Sequence, residues 1–348
     1  MVLSGTLFSL PYSLLWRIAQ RFGKQPQLAF YCAEMVDFHC FEPVRKHLPD
    51  VTYIASDPKV RQALRNLGIE ARRGLIFPRA LVMCRHATHK FPCSRMLRIG
   101  LRHGAYHFKR LSKAANYNQF DLYLFTSQAD LAAAEEIGVK VGKAVGFPRL
   151  DPVFNGSLPE DAITGLRREL KLDPHRPTLL FTATWDKSGM SALRHWHDRL
   201  AELTPRYNIL ATIHPWTDRE YRKNIRSTPG VCFVRGADLI PYILLADVVI
   251  GDTSSLLADC SALGKPLITF RTVKGRRSLP EIDQLLSQIS LRIKSFEELP
   301  AAVDRLLKEP KLLKQGQSEA NRVMFDELDG KAGERAAAEI LKLLGEPK

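Results

Sequence analysis

The sequence predicts an α/β protein built from two Rossmann-like domains. Short apolar runs alternate with amphipathic stretches of helical period. The alternation pauses at a polar, Pro-containing stretch, "NGSLPEDA" (155–162), and then restarts. The chain, at 348 residues, is also too long for one ordinary core. Strand–helix alternation of this kind means parallel sheets covered by helices. The expected division is a first domain over residues 1–152, a second over 153–328, and a C-terminal helix over 329–348.

In the first domain "QLAFYCA" (27–33) reads as a strand and "FEPVRKHL" as helical. "VTYIAS" (51–56) is a second strand. It is followed by the helix "DPKVRQALRNLG", with Asp57 as N-cap, Pro58 at the first helical position and Gly68 near the C-terminus. "ALVMCR" (80–85) is a strand, and "LRIGLRHG" leads into a polar loop. "DLYLFTS" (121–127) is a strand followed by the helix "QADLAAAEEIG", ending at Gly138, and "VGKAVGFPRLD" closes the domain. In the second domain the strands are "TLLFTAT" (178–184), "NILATIHP" (208–215), "VCFVRG" (231–236), "VVIGDTS" (248–254) and "PLITF" (266–270). The last segment, "DGKAGERAAAEILKLLG" (329–345), is a helix opened by Asp329 or Gly330. No solenoid repeat or low-complexity tract interrupts this order.

Composition narrows the function classes. Hydrophobic content of 45% and charged content of 25% are those of a globular protein. No run reaches the roughly 20 apolar residues that a membrane span needs. The N-terminal apolar run is short, and its basic residues follow rather than precede it, the wrong order for a secretory signal. If helical, that segment sets Leu3, Leu7, Phe8, Leu10, Leu14, Leu15, Trp16 and Ile18 on an apolar surface flanked by Arg17, Arg21 and Lys24, with Pro11 interrupting it. Two readings stay open: an interfacial anchor, or a terminal helix packed on the first domain. The six cysteines form no CxxC pair, which suits a reduced, cytoplasmic compartment and argues against zinc. The formal net charge of +14 favours an anionic partner, including an anionic membrane surface. No nucleic-acid-binding motif is present.

The residues that suggest chemistry lie at strand ends, where open α/β sheets bind their ligands. "ADVVIGDTSSLLADCSALGKPLITF" (246–270) ends a strand in Asp252, Thr253, Ser254 and Ser255 and at once opens a helix. Hydroxyls and N–H groups at a helix start favour a phosphate; simple N-capping is the plainer reading. "IHPW" puts His214 at another strand end, and "FTATWDKSG" puts Thr182, Thr184, Trp185 and Asp186 at a third. "RHGAYHFKR" puts His103, His107, Lys109 and Arg110 in a loop of the first domain. "GFPRLD" puts Arg149 and Asp151 at the junction.

Taken together, "HG…K", "GFPRLD", "TATW", "IHP", the 246–270 block and "FDELDGKAGERAAAEI" resemble the CDP-glycerol glycerophosphotransferase family of teichoic-acid primases and polymerases, over most of residues 100–345. The resemblance implies a GT-B fold, two Rossmann-like domains facing a cleft, and transfer of glycerol phosphate, or a related polyol phosphate, from a CDP-activated donor to an acceptor hydroxyl, with release of CMP. It implies that His103 is the base for the acceptor hydroxyl and that His214 lies near the donor phosphates. It further implies donor contacts from Thr184, Asp252, Thr253, Ser254, Ser255 and Asp259, and phosphate or acceptor contacts from Lys109 and Arg149. The acceptor would be lipid-linked or a glycan, reached at the cytoplasmic membrane face. No cofactor or metal is called for, although Asp252 and Asp259 leave Mg²⁺ open. The loop "HGAYHFKR" departs from the family's usual HGTPLK, which leaves the donor open among CDP-glycerol, CDP-ribitol and a sugar nucleotide. Two other readings remain: a sugar-nucleotide glycosyltransferase or epimerase relative, and a non-catalytic polymer- or membrane-binding scaffold.

Overall fold

The computed structural model describes residues 3–23, 25–104, 111–273 and 278–345. The chain forms two compact units. Among the described residues, the first is built from residues 3–103, 111–157 and 325–345, and the second from 158–324. The terminal helix, set apart in the sequence reading, therefore returns to the first unit.

The first unit opens with α1 (Leu3–Phe22), which continues through Pro11. Pro11 is exposed, so water can serve the carbonyl that its missing N–H leaves unbonded. One face of α1 docks: Tyr12 Oη donates to Ile76 O at 3.1 Å and Trp16 Nε1 to Pro78 O at 2.8 Å, while the Gln20 amide donates to Phe77 O. Trp16, expected on the apolar surface, thus belongs to the docked face. Leu10, Leu14, Leu15, Ile18 and Phe22 remain exposed.

Seven parallel strands follow: β1 (Leu28–Cys32), β2 (Val51–Ala55), β3 (Ala71–Arg72), β4 (Ala80–Met83), β5 (Leu97–Leu101), β6 (Leu122–Phe125) and β7 (Gly142–Ala144). Their order is β3-β2-β1-β4-β5-β6-β7. β1 and β4 are buried along their whole length, as continuous apolar runs between two helical layers must be. β3 and β7 have no counterpart in the sequence reading, because two or three residues, several of them polar, carry no periodicity.

Helices α2 (Met35–Arg45), α3 (Pro58–Asn66) and α4 (Gln128–Glu136) lie among these strands. α3 begins as its sequence dictates, with the Asp57 carboxylate accepting from Lys59 N at 2.8 Å and Val60 N at 3.0 Å. Ala29, Leu81, Met83, Tyr123 and Phe125 form the centre of the apolar core.

The C-terminal helix (Ala332–Gly345) is capped from far away in sequence. Asp151 Oδ1 accepts from Ala332 N at 3.1 Å, and Oδ2 from Gly333 N at 2.6 Å. Arg335 Nε reaches Val145 O at 2.9 Å. A Cβ at Gly333 would lie 2.5 Å from Pro43 O, so glycine is what lets this helix touch α2 backbone to backbone. The "GFPRLD" and "DGKAGER" segments are thus the two halves of one structural joint.

The second unit carries β8 (Thr178–Ala183), β9 (Asn208–Ile213), β10 (Val231–Phe233), β11 (Val248–Gly251), β12 (Leu267–Phe270) and β13 (Leu291–Ile293), again all parallel. Their order, β10-β9-β8-β11-β12-β13, reverses direction between β8 and β11, the topological switch point of a Rossmann sheet. Of its helices, α5 (Glu160–Glu169) precedes β8, α6 (Arg219–Ser227) joins β9 to β10, and α7 (Leu256–Ala262) joins β11 to β12.

Candidate active site

In the second unit, three neighbouring strands deliver the flagged residues to one sheet edge. Thr184 follows β8, His214 follows β9, and Asp252–Ser255 follow β11; β9, β8 and β11 are consecutive in the sheet. Gly251 ends β11 in a tightly packed spot. A Cβ there would lie 2.8 Å from Leu257 Cδ2 and 3.1 Å from Thr182 Cγ2.

Asp252 is fully buried. Its carboxylate accepts from the backbone N–H groups of Thr184 (3.0 Å to each oxygen), Ala192 (2.9 Å), Thr253 (2.5 Å) and Ser254 (3.0 Å). Burial pushes the carboxyl up to about 6 against the pull of those donors, so it is a carboxylate at neutral pH. The acid therefore ties β8, β11 and the loop at Ala192 together rather than facing outward. It also consumes the Thr253 and Ser254 N–H groups that the sequence reading had offered to a phosphate. Ser191 Oγ adds a bond to Thr184 O at 2.9 Å.

What this edge offers a ligand are side chains. Ser254 and Ser255 are partly exposed, and Ser255 makes no capping bond to α7. The Thr253 hydroxyl is buried without a hydrogen-bond partner among the described residues. Asp259 is buried within α7. No group of three or more His, Cys, Asp or Glu side chains with metal-holding geometry occurs among the described residues.

His214 is held by its own turn. Its Nδ1 accepts the Trp216 N–H at 3.1 Å, which puts the ring proton on Nε2 and makes that nitrogen a donor. Trp216, 66% exposed, meets the His214 ring edge-on at 5.2 Å and the Trp185 ring at 5.8 Å. Asp186 accepts from Asp218 N at 3.3 Å, which binds the ends of β8 and β9 together.

In the first unit, His103 follows β5 and is half-buried. Its Nδ1 lies 2.9 Å from the carbonyl oxygen of Cys84, just past β4. A carbonyl only accepts, so Nδ1 carries the proton and Nε2 carries the lone pair, the tautomer of a base. Burial, opposed by the Cys84 bond and reinforced by Arg85, Arg102 and His86, lowers the ring to about 4. The backbone before it is fixed by a buried fork: Arg102 Nε to Asp130 Oδ2 at 3.0 Å and Nη2 to Oδ1 at 2.5 Å. The two histidines thus have opposite tautomers, each set by one backbone bond.

Asp37, which the sequence did not flag, is the first unit's counterpart of Asp252. It is fully buried after β1, beside that sheet's own switch point, and Oδ2 accepts from Ala33 N (2.8 Å) and Glu34 N (3.0 Å). Burial pushes it up to about 6. Nothing in "AEMVDFHCF" marks it, since an acid between apolar residues reads as a solvated helix position.

Arg149 is buried in the Pro148–Leu150 turn, behind the joint with the C-terminal helix. Lys109 lies outside the described residues, as do His107, Arg110 and Lys24.

Residues 140–342 match the family described as CDP-glycerol:poly(glycerophosphate) glycerophosphotransferase. A teichoic acid poly(ribitol-phosphate) polymerase of Bacillus spizizenii is 24% identical over 278 residues, covering 75% of this chain and 43% of the relative. The chain thus spans less than half the length of that curated relative. Among solved structures, the wall teichoic acid polymerase TagF superposes with a TM-score of 0.65 at 16% identity, over 98% of this chain and 97% of the other. The UDP-GlcNAc 2-epimerase from Neisseria meningitidis, solved with UDP-GlcNAc bound, superposes with a TM-score of 0.61 at 14% identity, over 90% and 99%. The α/β, GT-B class expected from the sequence is the class of these folds.

Proposed function

The chain belongs to the CDP-glycerol:poly(glycerophosphate) glycerophosphotransferase family, and on that premise we propose that it transfers a polyol phosphate from a CDP-activated donor to an acceptor hydroxyl in cell-surface polymer synthesis, releasing CMP. The observation that carries this is the convergence of His214 and the hydroxyls of Thr253, Ser254 and Ser255 on adjacent strand ends at a Rossmann switch point, inside the segment that matches the family.

The acceptor hydroxyl attacks the phosphorus that bears the polyol. A new P–O bond forms, the bridging P–O bond to CMP breaks, and the hydroxyl proton passes to Nε2 of His103. At neutral pH that nitrogen has its lone pair, and an anionic donor nearby raises its affinity for the proton. Negative charge grows on the departing CMP phosphate. The Nε2–H of His214 and the hydroxyls of Ser254 and Ser255 donate to it there. Asp252 takes no part in bonding the donor; it holds Thr184, Thr253 and Ser254 in place.

The acceptor is a lipid-linked or glycan chain, and the protein works at the cytoplasmic membrane face. Supporting this, α1 presents an exposed apolar row. No helix among the described residues is long and apolar enough to span a bilayer.

The test is nucleotide release. CMP from CDP-glycerol or CDP-ribitol, with no UDP from UDP-GlcNAc, is the expected result. The reverse would move the chain to the sugar-nucleotide enzymes, whose epimerase member shares the fold. Ser254→Ala and Ser255→Ala are each expected to weaken donor binding by roughly 1–3 kcal/mol, the worth of a hydrogen bond to a charged group. Unchanged calorimetric titrations in both would reduce this turn to a helix start.

A further inference from the structure

Helix α6 carries Arg219, Arg222, Lys223 and Arg226, at i, i+3, i+4 and i+7, so all four share one face. An open groove is lined by these four cations and Ser227. The helix's single acid, Glu220, does not line it. None of the four forms an ion pair with a carboxylate among the described residues. Instead Arg222 Nη2 donates to Pro215 O at 2.9 Å, while its Nε is buried with no hydrogen-bond partner among the described residues. The Arg226 guanidinium lies over the Phe233 ring at 4.7 Å. Desolvation, with Arg235 and Arg222 nearby, lowers the Arg226 charge's own stability. Four positive charges are thus gathered along one helix face with no carboxylate paired to them among the described residues. At 1.5 Å rise per residue, the row extends about 10 Å along the helix.

We propose that this face of α6 is a binding site for a phosphodiester polyanion, one that lies beside the His214 turn and holds the polymer chain rather than the reacting donor. Identifying the polyanion as the growing polyol-phosphate chain rests on the function proposed above; binding of a polyphosphate does not. A membrane surface fits less well. Residues 217–235 expose no large hydrophobic side chain that would enter a bilayer; the nearest, Trp216, belongs to the His214 turn. A row of cations in an open groove suits instead a flexible chain of phosphates, which gains affinity by releasing counterions.

The experiment titrates the full-length protein with long-chain inorganic polyphosphate at several salt concentrations. It compares the triple variant Arg219→Gln, Lys223→Gln, Arg226→Gln with a control triple, Lys311→Gln, Lys314→Gln, Arg322→Gln. The control removes the same charge from another exposed basic cluster. The α6 triple is expected to lose about tenfold or more in affinity and to flatten the salt dependence by about two in slope. The control is expected to stay within about twofold of the unaltered protein. An unchanged thermal shift with CDP certifies that both variants are folded. Equal losses in the two triples would assign the binding to net charge and overturn the site. Intact polyphosphate binding in the α6 triple, with lost sedimentation on phosphatidylglycerol vesicles, would make the face a membrane contact and overturn it as well. CMP release is measured in parallel. Lost polyphosphate binding with normal release supports the site, and absent release with normal polyphosphate binding in the unaltered protein defeats the catalytic reading alone.

Discussion

His103 and His214 show how one hydrogen bond assigns a role to an imidazole. Both were legible in the sequence as histidines at strand ends, but a tautomer belongs to the backbone partner, which no local pattern records. Cys84 O makes His103 an acceptor at Nε2, and the Trp216 N–H makes His214 a donor. His103→Ala is therefore expected to lower kcat by about 10²–10⁴ with donor affinity nearly intact. His214→Ala is expected to weaken donor binding too, and equal small effects in calorimetry and kinetics would remove both from the site. The pH dependence follows in sign. The unfolded chain takes up a proton at an ordinary histidine near 6.5, whereas the folded protein keeps His103 neutral down to about 4. The stability linked to His103 is complete above about 6.5 and is lost as pH falls towards 4. Chemical denaturation across that range, with His103→Gln as reference, checks it; a variant whose pH slope matches the parent's would contradict it. Asp252, a donor contact in the resemblance, braces Thr184, Ala192, Thr253 and Ser254 through their backbone N–H groups. Asp252→Asn turns an NH₂ group towards backbone donors and is expected to cost about 1–3 kcal/mol per unmet N–H, seen as a lower Tm.

At the scale of elements, the long buried strands were readable because five or six consecutive apolar residues admit few alternatives. β3, β7 and β13 were not, since each owes its place to a neighbour already in the sheet. The joint between Asp151 and the C-terminal helix was equally hidden: both motifs were visible, but their partnership spans the whole second unit. Asp151→Ala removes acceptors from Ala332 N and Gly333 N and is expected to cost about 0.5–2 kcal/mol, the range of a lost N-cap. Gly333→Ala is expected to cost more, because its Cβ meets Pro43 backbone that cannot move aside. Thermal melts of the two variants rank them. For α1, anchor and packed helix are the two readings of the sequence; one face of the helix docks, and Leu10, Leu14, Leu15, Ile18 and Phe22 stay exposed on the rest. The triple change Leu10→Gln, Leu14→Gln, Phe22→Gln leaves Tyr12 and Trp16 docked and is expected to reduce sedimentation with anionic vesicles without lowering Tm. Undiminished sedimentation would relegate the exposed row to an ordinary surface.

For the whole molecule, the basic excess was plain from composition, but where it gathers was not. A count of +14 does not distinguish an even coat from the row on α6. The two-domain plan was legible because alternation stops and restarts, and the observed units part after Ser157, within the polar stretch. The return of residues 325–345 to the first unit has a consequence for the order in which the protein is made. The second unit's body, 158–324, is one uninterrupted stretch and can fold as it leaves the ribosome. The first unit begins earlier yet lacks its last helix until residues 325–345 have been made, because Ala332 and Gly333 must find Asp151 across roughly 180 residues. A nascent chain halted shortly after residue 324 is therefore expected to resist protease in its later half while its earlier half is still cleaved.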